Sequence, residues 1–336
     1  MSGIEEVARA AGVSTSTVSR ALSGRGRISA ETRERVRTAA ARLGYVVSSA
    51  AATLASGRTQ NIGVVVPLLD RWFFATVLDG IASVLAPHGY DITLYALTDD
   101  AEQRRGVFET SLRRGRVDGV IVLSGLLADG EVADLRGLGL PVVSLGLWRG
   151  DLPTLRVDDT AVGRVAAEHL IALGHRDLAH IGHAVAPGSP SDPECEIPTR
   201  RRRGFEAAAK DAGIGMVRFG DGDFTIAGGH RAALALLRQP NPPTAIFAAS
   251  DEMAYGALAA ARELGLTLPR DLSVIGVDGH DLAALFDLTT IDQFPHAQGE
   301  KVAEAILARL GASENAAPDL TLPFELVVRA STGPVR

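Results

Sequence analysis

Apolar positions along this chain follow two different periods, and the change between them divides it. In the first 45 residues Ile4, Val7, Ala8 and Ala11 recur at helical spacing until Gly12 interrupts them. Ser14 fits an N-cap for a second helix that turns Val18, Ala21 and Leu22 inward and leaves Thr15, Ser16, Ser19 and Arg20 outside. A third helix opens near Ser29, carries Glu31 in its first turn, buries Val36, Ala40 and Leu43, and stops at Gly44. From residue 61 onward the pattern changes to short β-rich runs separated by helical stretches. IGVVVP (62–67), DITLYAL (91–97), GVIVLS (119–124) and PVVSLG (141–146) read as buried parallel strands. A second series follows with LAHIGH (178–183), AIFAAS (245–250) and SVIGVDG (273–279). Helices are predicted around 75–85, 162–173, 203–212 and 253–264.

Two successive βα series predict an α/β fold of two doubly wound parallel sheets behind a three-helix head. Charge sharpens the division. Residues 1–60 hold nine Arg and four Glu, a net of +5, whereas the remainder holds 25 basic and 36 acidic residues, a net of −11. A basic head on an acidic body suits a nucleic-acid reader joined to a sensor. At 46% hydrophobic residues and a mean hydropathy of +0.14, the 336-residue chain can bury two cores. No apolar run reaches the roughly 18–20 residues of a membrane span. The opening MSGIEEVARA has neither the basic start nor the apolar run of a signal peptide. The single Cys195 forms neither an intramolecular disulfide nor a zinc cluster, so a cytoplasmic setting is expected.

The head has the makings of a helix-turn-helix, whose second helix enters the major groove. Arg20 can offer guanine a bidentate contact, and the hydroxyls of Thr15, Ser16, Thr17 and Ser19 can meet a base edge or a phosphate. Arg25, Arg27 and Arg33 fit sequence-independent phosphate contacts. In the body, the expected ligand site lies past the carboxyl ends of the strands, in a cleft between the lobes. Trp72, Phe73 and Phe74 follow the first strand there, Ser124 ends the third, Ser250 follows AIFAA, Asp278 ends SVIGVD, and Gln293 ends LTTIDQ. Asp251 is better suited to capping a helix that begins at Glu252. The loop 184–198, rich in Pro, Ser and Gly, lies beside Arg201 and suits either a lid or an inert insertion. No GxSxG elbow, Walker loop, HExxH or nucleophile–base set appears, which argues against an enzyme; no metal site or cofactor is expected.

The string IEEVARAAGVSTSTVSRALSGRGRISAETRERVRTAAARLGY (4–45) closely resembles the headpiece of the LacI/GalR family of bacterial repressors, and the likeness runs on to RASTGP near the C-terminus. The resemblance implies a headpiece at 1–45, a hinge helix at 46–60 and a two-lobed periplasmic-binding-protein-like core at 61–336. The N-lobe would then be about 61–159 plus 291–318, and the C-lobe about 160–290 plus 319–336. It implies that Leu54 wedges into the minor groove. Val47, Ser48 and Ala52 stand where the family often has Pro, Asn and Arg. It also marks Arg201, Phe224, Asp278 and Gln293 as effector contacts, while Gly146 stands where many members have Asp. The implied function is a sequence-specific repressor, a homodimer on a pseudopalindromic double-stranded operator, released by a small sugar-like effector. Control by a co-repressor ligand or a protein co-regulator is the alternative. The ending STGPVR has no leucine heptads, so a tail-built tetramer is not expected.

Overall fold

A computed structural model describes residues 3–22, 27–45, 57–98, 100–123, 127–146, 152–184, 196–311 and 319–335. The chain forms two compact units: residues 1–60 with 115–118, and the remainder.

In the first unit, α1 (Ile4–Ala11) carries Glu5 and Glu6 in its opening turn, where a helix favours negative charge. It ends at Gly12 in the left-handed conformation, φ 67°, with the Val13 amide bonded back to the Ala8 carbonyl. The Ser14 hydroxyl accepts the Thr17 amide at 3.2 Å and opens α2 (Thr15–Leu22). Ser29 does the same for the Thr32 amide and opens α3 (Ala30–Arg42). Val7, Ala8, Ala11, Val18, Ala21, Val36, Ala39 and Ala40 form the small core. Leu43, predicted as buried, is only partly so and packs against the edge of that core.

The second unit contains two six-stranded sheets. The first has the order β11-β5-β4-β3-β1-β2: β1 (Asn61–Val66), β2 (Asp91–Ala96), β3 (Gly119–Leu123), β4 (Val142–Leu145), β5 (Thr154–Arg156) and β11 (Leu320–Thr321). The second has the order β12-β10-β9-β8-β6-β7: β6 (Leu178–Gly182), β7 (Arg218–Asp221), β8 (Ala245–Ala248), β9 (Ser273–Asp278), β10 (Thr289–Asp292) and β12 (Glu325–Val327). Every pairing is parallel except β10 with β12. Central strands β3, β8 and β9 are buried at every residue, whereas the edge strands β2, β7, β11 and β12 are exposed or half-buried. That gradient follows from helices covering both faces of a parallel sheet while its edges stay open.

The chain crosses between sheets after β5, after β10 and between β11 and β12. LTTIDQ therefore completes the second sheet, and Leu320–Thr321 joins the first. The last two crossings fall a few residues beyond the boundaries expected at 290 and 318. Helix α11 (Pro295–Gly311), which separates them, packs against α4 (Trp72–Leu85) of the first lobe.

Helices also meet in pairs, and glycine sets how closely. Between α7 (Asp159–Ala172) and α8 (Ile197–Asp211), a Cβ on Gly163 would run into the Arg201 carbonyl and one on Gly204 into the Thr160 carbonyl. Gly80 and Gly299 do the same for α4 with α11, as do Gly229 and Gly256 for α9 (Ile226–Leu237) with α10 (Asp251–Glu263). The C-terminal segment is held by a buried network. His175 Nε2 lies 3.0 Å from both Ser273 Oγ and the Gly333 carbonyl, and His169 Nε2 lies 2.9 Å from Thr332 Oγ1.

Two outcomes follow. Gly204→Ala should lose about 3 kcal/mol of stability, because the clash is with backbone that cannot rotate away. Gly106→Ala, where nothing lies within 4 Å of the added carbon, should change stability by less than about 1 kcal/mol. Equal urea midpoints for the two would contradict the close crossing. Burial also holds His169 and His175 below the usual imidazole range and takes His180 to about 3. These depressed values add stability above the unfolded-state pKa near 6.5, lost as pH falls through the folded values. The stability of wild type relative to His169→Gln should therefore fall between pH 7.5 and 5.5, read as the difference in denaturant midpoints.

Candidate functional site

On α2, Thr15, Ser16, Ser19 and Arg20 are exposed and Thr17 is half-buried, opposite the buried Val18 and Ala21. The Arg20 Nε–H donates to the Ser16 carbonyl at 3.2 Å, which draws its guanidinium back along the helix toward the N-terminal turn. One helix face thus presents three hydroxyls and one guanidinium to solvent. Arg25 and Leu54 lie outside the described residues, as do Val47, Ser48 and Ala52.

The second cluster lies past the carboxyl ends of the second lobe's strands. The Gly163–Gly204 crossing sets α7 and α8 so close that Asp159, one turn before Gly163, meets Arg201, one turn before Gly204. The buried Arg201 donates from Nε to Asp159 Oδ1 at 2.8 Å, from Nη1 to the Ala249 carbonyl at 2.6 Å and from Nη2 to Gln293 Oε1 at 3.0 Å. Gln293 in turn donates from Nε2 to Asp278 Oδ1 at 2.7 Å. A single polar line therefore joins α7, α8, β8, β9 and β10. Burial raises the Asp159 carboxyl above its ordinary value although Arg201 beside it pulls the other way.

Asp278 ends β9 with φ 129°, a backbone region that side chains other than glycine's rarely adopt. Strain of this kind costs on the order of 1–3 kcal/mol and collects at functional sites. Burial pushes its carboxyl up to about 7, against the pull of Arg201 and Gln293. Asp251 is buried beside it and raised further by burial and by Asp278 itself. Two neighbouring buried carboxyls cannot readily both ionise, so this end of the cleft holds a proton near neutrality. Asp251 is not a helix cap. Ser250 caps α10 by accepting the Met253 amide at 3.2 Å, while Asp251 takes the Thr290 hydroxyl at 2.7 Å and the His280 amide at 2.8 Å.

The aromatic residues separate. Phe74 is buried in the core, and Phe73 packs against that core with the two rings 5.4 Å apart. Phe224 follows β7 at φ 48°, half-buried and 6.0 Å from the His183 ring. Trp72 reaches the other lobe, where its indole stacks on His280. Ser124 lies outside the described residues, as does most of the loop 184–198, residues 185–195. Sequence reasoning passed over Asp159, a helix-opening acid identical in pattern to an ordinary cap, and over His280, whose role is visible only once the lobes are assembled. Among the described residues no cluster of His, Cys, Asp or Glu suits a metal ion, and no helix is long and apolar enough to cross a membrane.

The strained, proton-holding Asp278 has a measurable consequence. Its folded pKa near 7 exceeds the unfolded value near 4, so its contribution favours the folded state below pH 4 and is lost as pH rises through 7. The stability of wild type relative to Asp278→Asn should therefore grow as pH falls from 8 to 4. A pH-independent difference in denaturation would mean that Asp278 is not held protonated.

Known proteins resemble this chain along its whole length. The family described as bacterial regulatory proteins, lacI family, matches residues 3–48, and a periplasmic binding protein-like domain matches residues 167–332. An HTH-type transcriptional repressor PurR from Erwinia tasmaniensis is 32% identical, covering 100% of this chain and 99% of its own. The HTH-type transcriptional repressor CytR of Escherichia coli K12 is 32% identical over 98% of this chain and 96% of its own. Among solved structures, the lac repressor dimer bound to operator and the anti-inducer ONPF superposes with a TM-score of 0.85 at 26% identity, covering 99% of each chain. A transcriptional regulator CelR–cellobiose complex superposes at 0.70 with 29% identity, covering 98% of this chain and 100% of that one. With a relative 32% identical along its whole length and a helix-turn-helix head followed by two parallel-sheet lobes, the chain belongs to the LacI family of bacterial regulatory proteins and is a DNA-binding transcriptional regulator.

Proposed function

We propose that the chain is a repressor that grips a pseudopalindromic operator as a homodimer and releases it when a small sugar-like molecule enters the cleft of the core. The observation that carries the DNA half of this reading is the outward face of α2, where Thr15, Ser16, Ser19 and Arg20 stand together. Arg20 is assigned the guanine contact and the hydroxyls, with Thr17, the neighbouring bases and phosphates. Arg25 is given to the phosphate backbone and Leu54 to the minor-groove wedge.

The line Arg201–Gln293–Asp278 supports the effector half. A polyol needs paired donors and acceptors held rigidly in a dry site, and each of these side chains is already oriented by a protein partner. Ser250 and Ser124 would add hydroxyl contacts. Phe224, with Phe73 at the lobe's edge, would offer a ring face, Phe74 backing it from the core. Relatives point the same way, since one solved neighbour is a complex with cellobiose and another is bound to operator and the anti-inducer ONPF. For release, the effector must bind the two states of the core with affinities differing by roughly 1–3 kcal/mol or more.

Selection from random duplexes should return a two-fold symmetric site. Arg20→Ala should cost about 1–3 kcal/mol and relax preference at one base pair per half-site, while Leu54→Ala should weaken operator binding and leave effector affinity unchanged. Calorimetry against monosaccharides and disaccharides should find a ligand that frees the operator. A folded protein that binds operator but no sugar would overturn the effector assignment and leave the operator reading intact.

A further inference from the structure

The indole of Trp72, the first residue of α4 in the first lobe, lies over the imidazole of His280, in the turn after β9 of the second lobe. Their ring centroids are 4.3 Å apart and the planes 24° from parallel. The Nε1–H of Trp72 points to Asp281 Oδ2 at 3.4 Å. The receiving turn is firmly built. The His280 amide donates to Asp251 at 2.8 Å, and its Nδ1 accepts the Leu282 amide at 3.1 Å, which places the ring proton on Nε2. The Tyr255 and His280 rings stand nearly perpendicular with centroids 5.3 Å apart, and Phe286 flanks Tyr255 at 5.4 Å. A fixed platform in one lobe thus receives a single projecting side chain from the other, two residues from Asp278.

We propose that Trp72, His280 and Asp281 form a clasp across the rim of the cleft that holds the lobes together without any ligand. One face of the indole is already occupied by a residue of the protein itself. Stacking between a large indole and a neutral imidazole, with one hydrogen bond at its end, is a contact whose loss affects no core packing within either lobe. Opening the cleft therefore means breaking the clasp, and the clasp sets how much of the ligand-free population is closed. The inference rests on the two-lobed core alone and stands whether or not the effector is a sugar.

The test is a distance between lobes in the full chain. Spin labels at Glu109→Cys and Gln239→Cys, both exposed, would be read by pulsed dipolar spectroscopy after the chain's one cysteine is replaced by Cys195→Ser. Labelled chain diluted into an excess of unlabelled chain keeps distances within one protomer. Without ligand, the parent should give one narrow distance, and Trp72→Ala should add a second, separate population. Trp72→Phe, which keeps a stacking ring, should retain most of the narrow population, and Trp72→Ala with His280→Ala together should do no more than Trp72→Ala alone. An unchanged single distance in Trp72→Ala, with unfolding midpoints showing the variant folded, would overturn the clasp. So would additive effects of the two substitutions.

Discussion

Two helices cross at Gly163 and Gly204 so closely that no side chain fits between their backbones, and the cleft chemistry hangs from that crossing. Without it, Asp159 and Arg201 would stand on separate helices with water between them. With it they share a hydrogen bond in the dry interior, and the remaining arms of the guanidinium reach Ala249 and Gln293. Arginine suits this place because its planar fork serves several acceptors at once, which a lysine ammonium at the same point would not. Removing either charge would leave the other buried and uncompensated, a loss of about 3–5 kcal/mol in comparable pairs.

The same interior explains why the far end of the line is acidic yet not fully ionised. Asp278 and Asp251 sit where water is scarce, and Gly276 leaves room for the Asp251 carboxylate because a Cβ there would overlap it. Amides and hydroxyls satisfy the two acids, but only Arg201 brings a compensating charge, and Asp159 already claims much of it. A carboxyl kept near its midpoint can both donate and accept, which suits recognition of a hydroxylated ligand. At the rim, a stacked indole and imidazole join the lobes by a contact far smaller than either core. Rigid lobes joined by small contacts are what an effector-driven change of state requires.

Much of this was legible along the chain. The head's three helices, their caps at Ser14 and Ser29 and the outward face of α2 follow from local periodicity and capping, which a tertiary context does not easily reverse. The central strands were visible for the same reason, being continuous apolar runs. The edge strands β7, β11 and β12 were not, because a strand with solvent on one side carries no continuous apolar run and three residues carry no period. Helix α9 was hidden by Gly228 and Gly229, poor helix formers: Gly229 is demanded by packing against α10, and Gly228 by the close approach of the Gly222 carbonyl.

For the site, the sequence by itself determined which polar residues end strands or closely follow them, since a strand's end is set by its own pattern: Asp278, Ser250 and Gln293 could be named in advance. Only the tertiary structure decided what each one does there. Ser250, and not Asp251, became the cap because Thr290 and the His280 turn draw the Asp251 carboxylate inward. Phe74 turned into the core while Trp72 crossed to the other lobe, although the two are neighbours in the same helical turn. Strand ends are local features, whereas burial, pairing and proton affinity depend on what residues on other elements, tens of positions away in the chain, bring alongside.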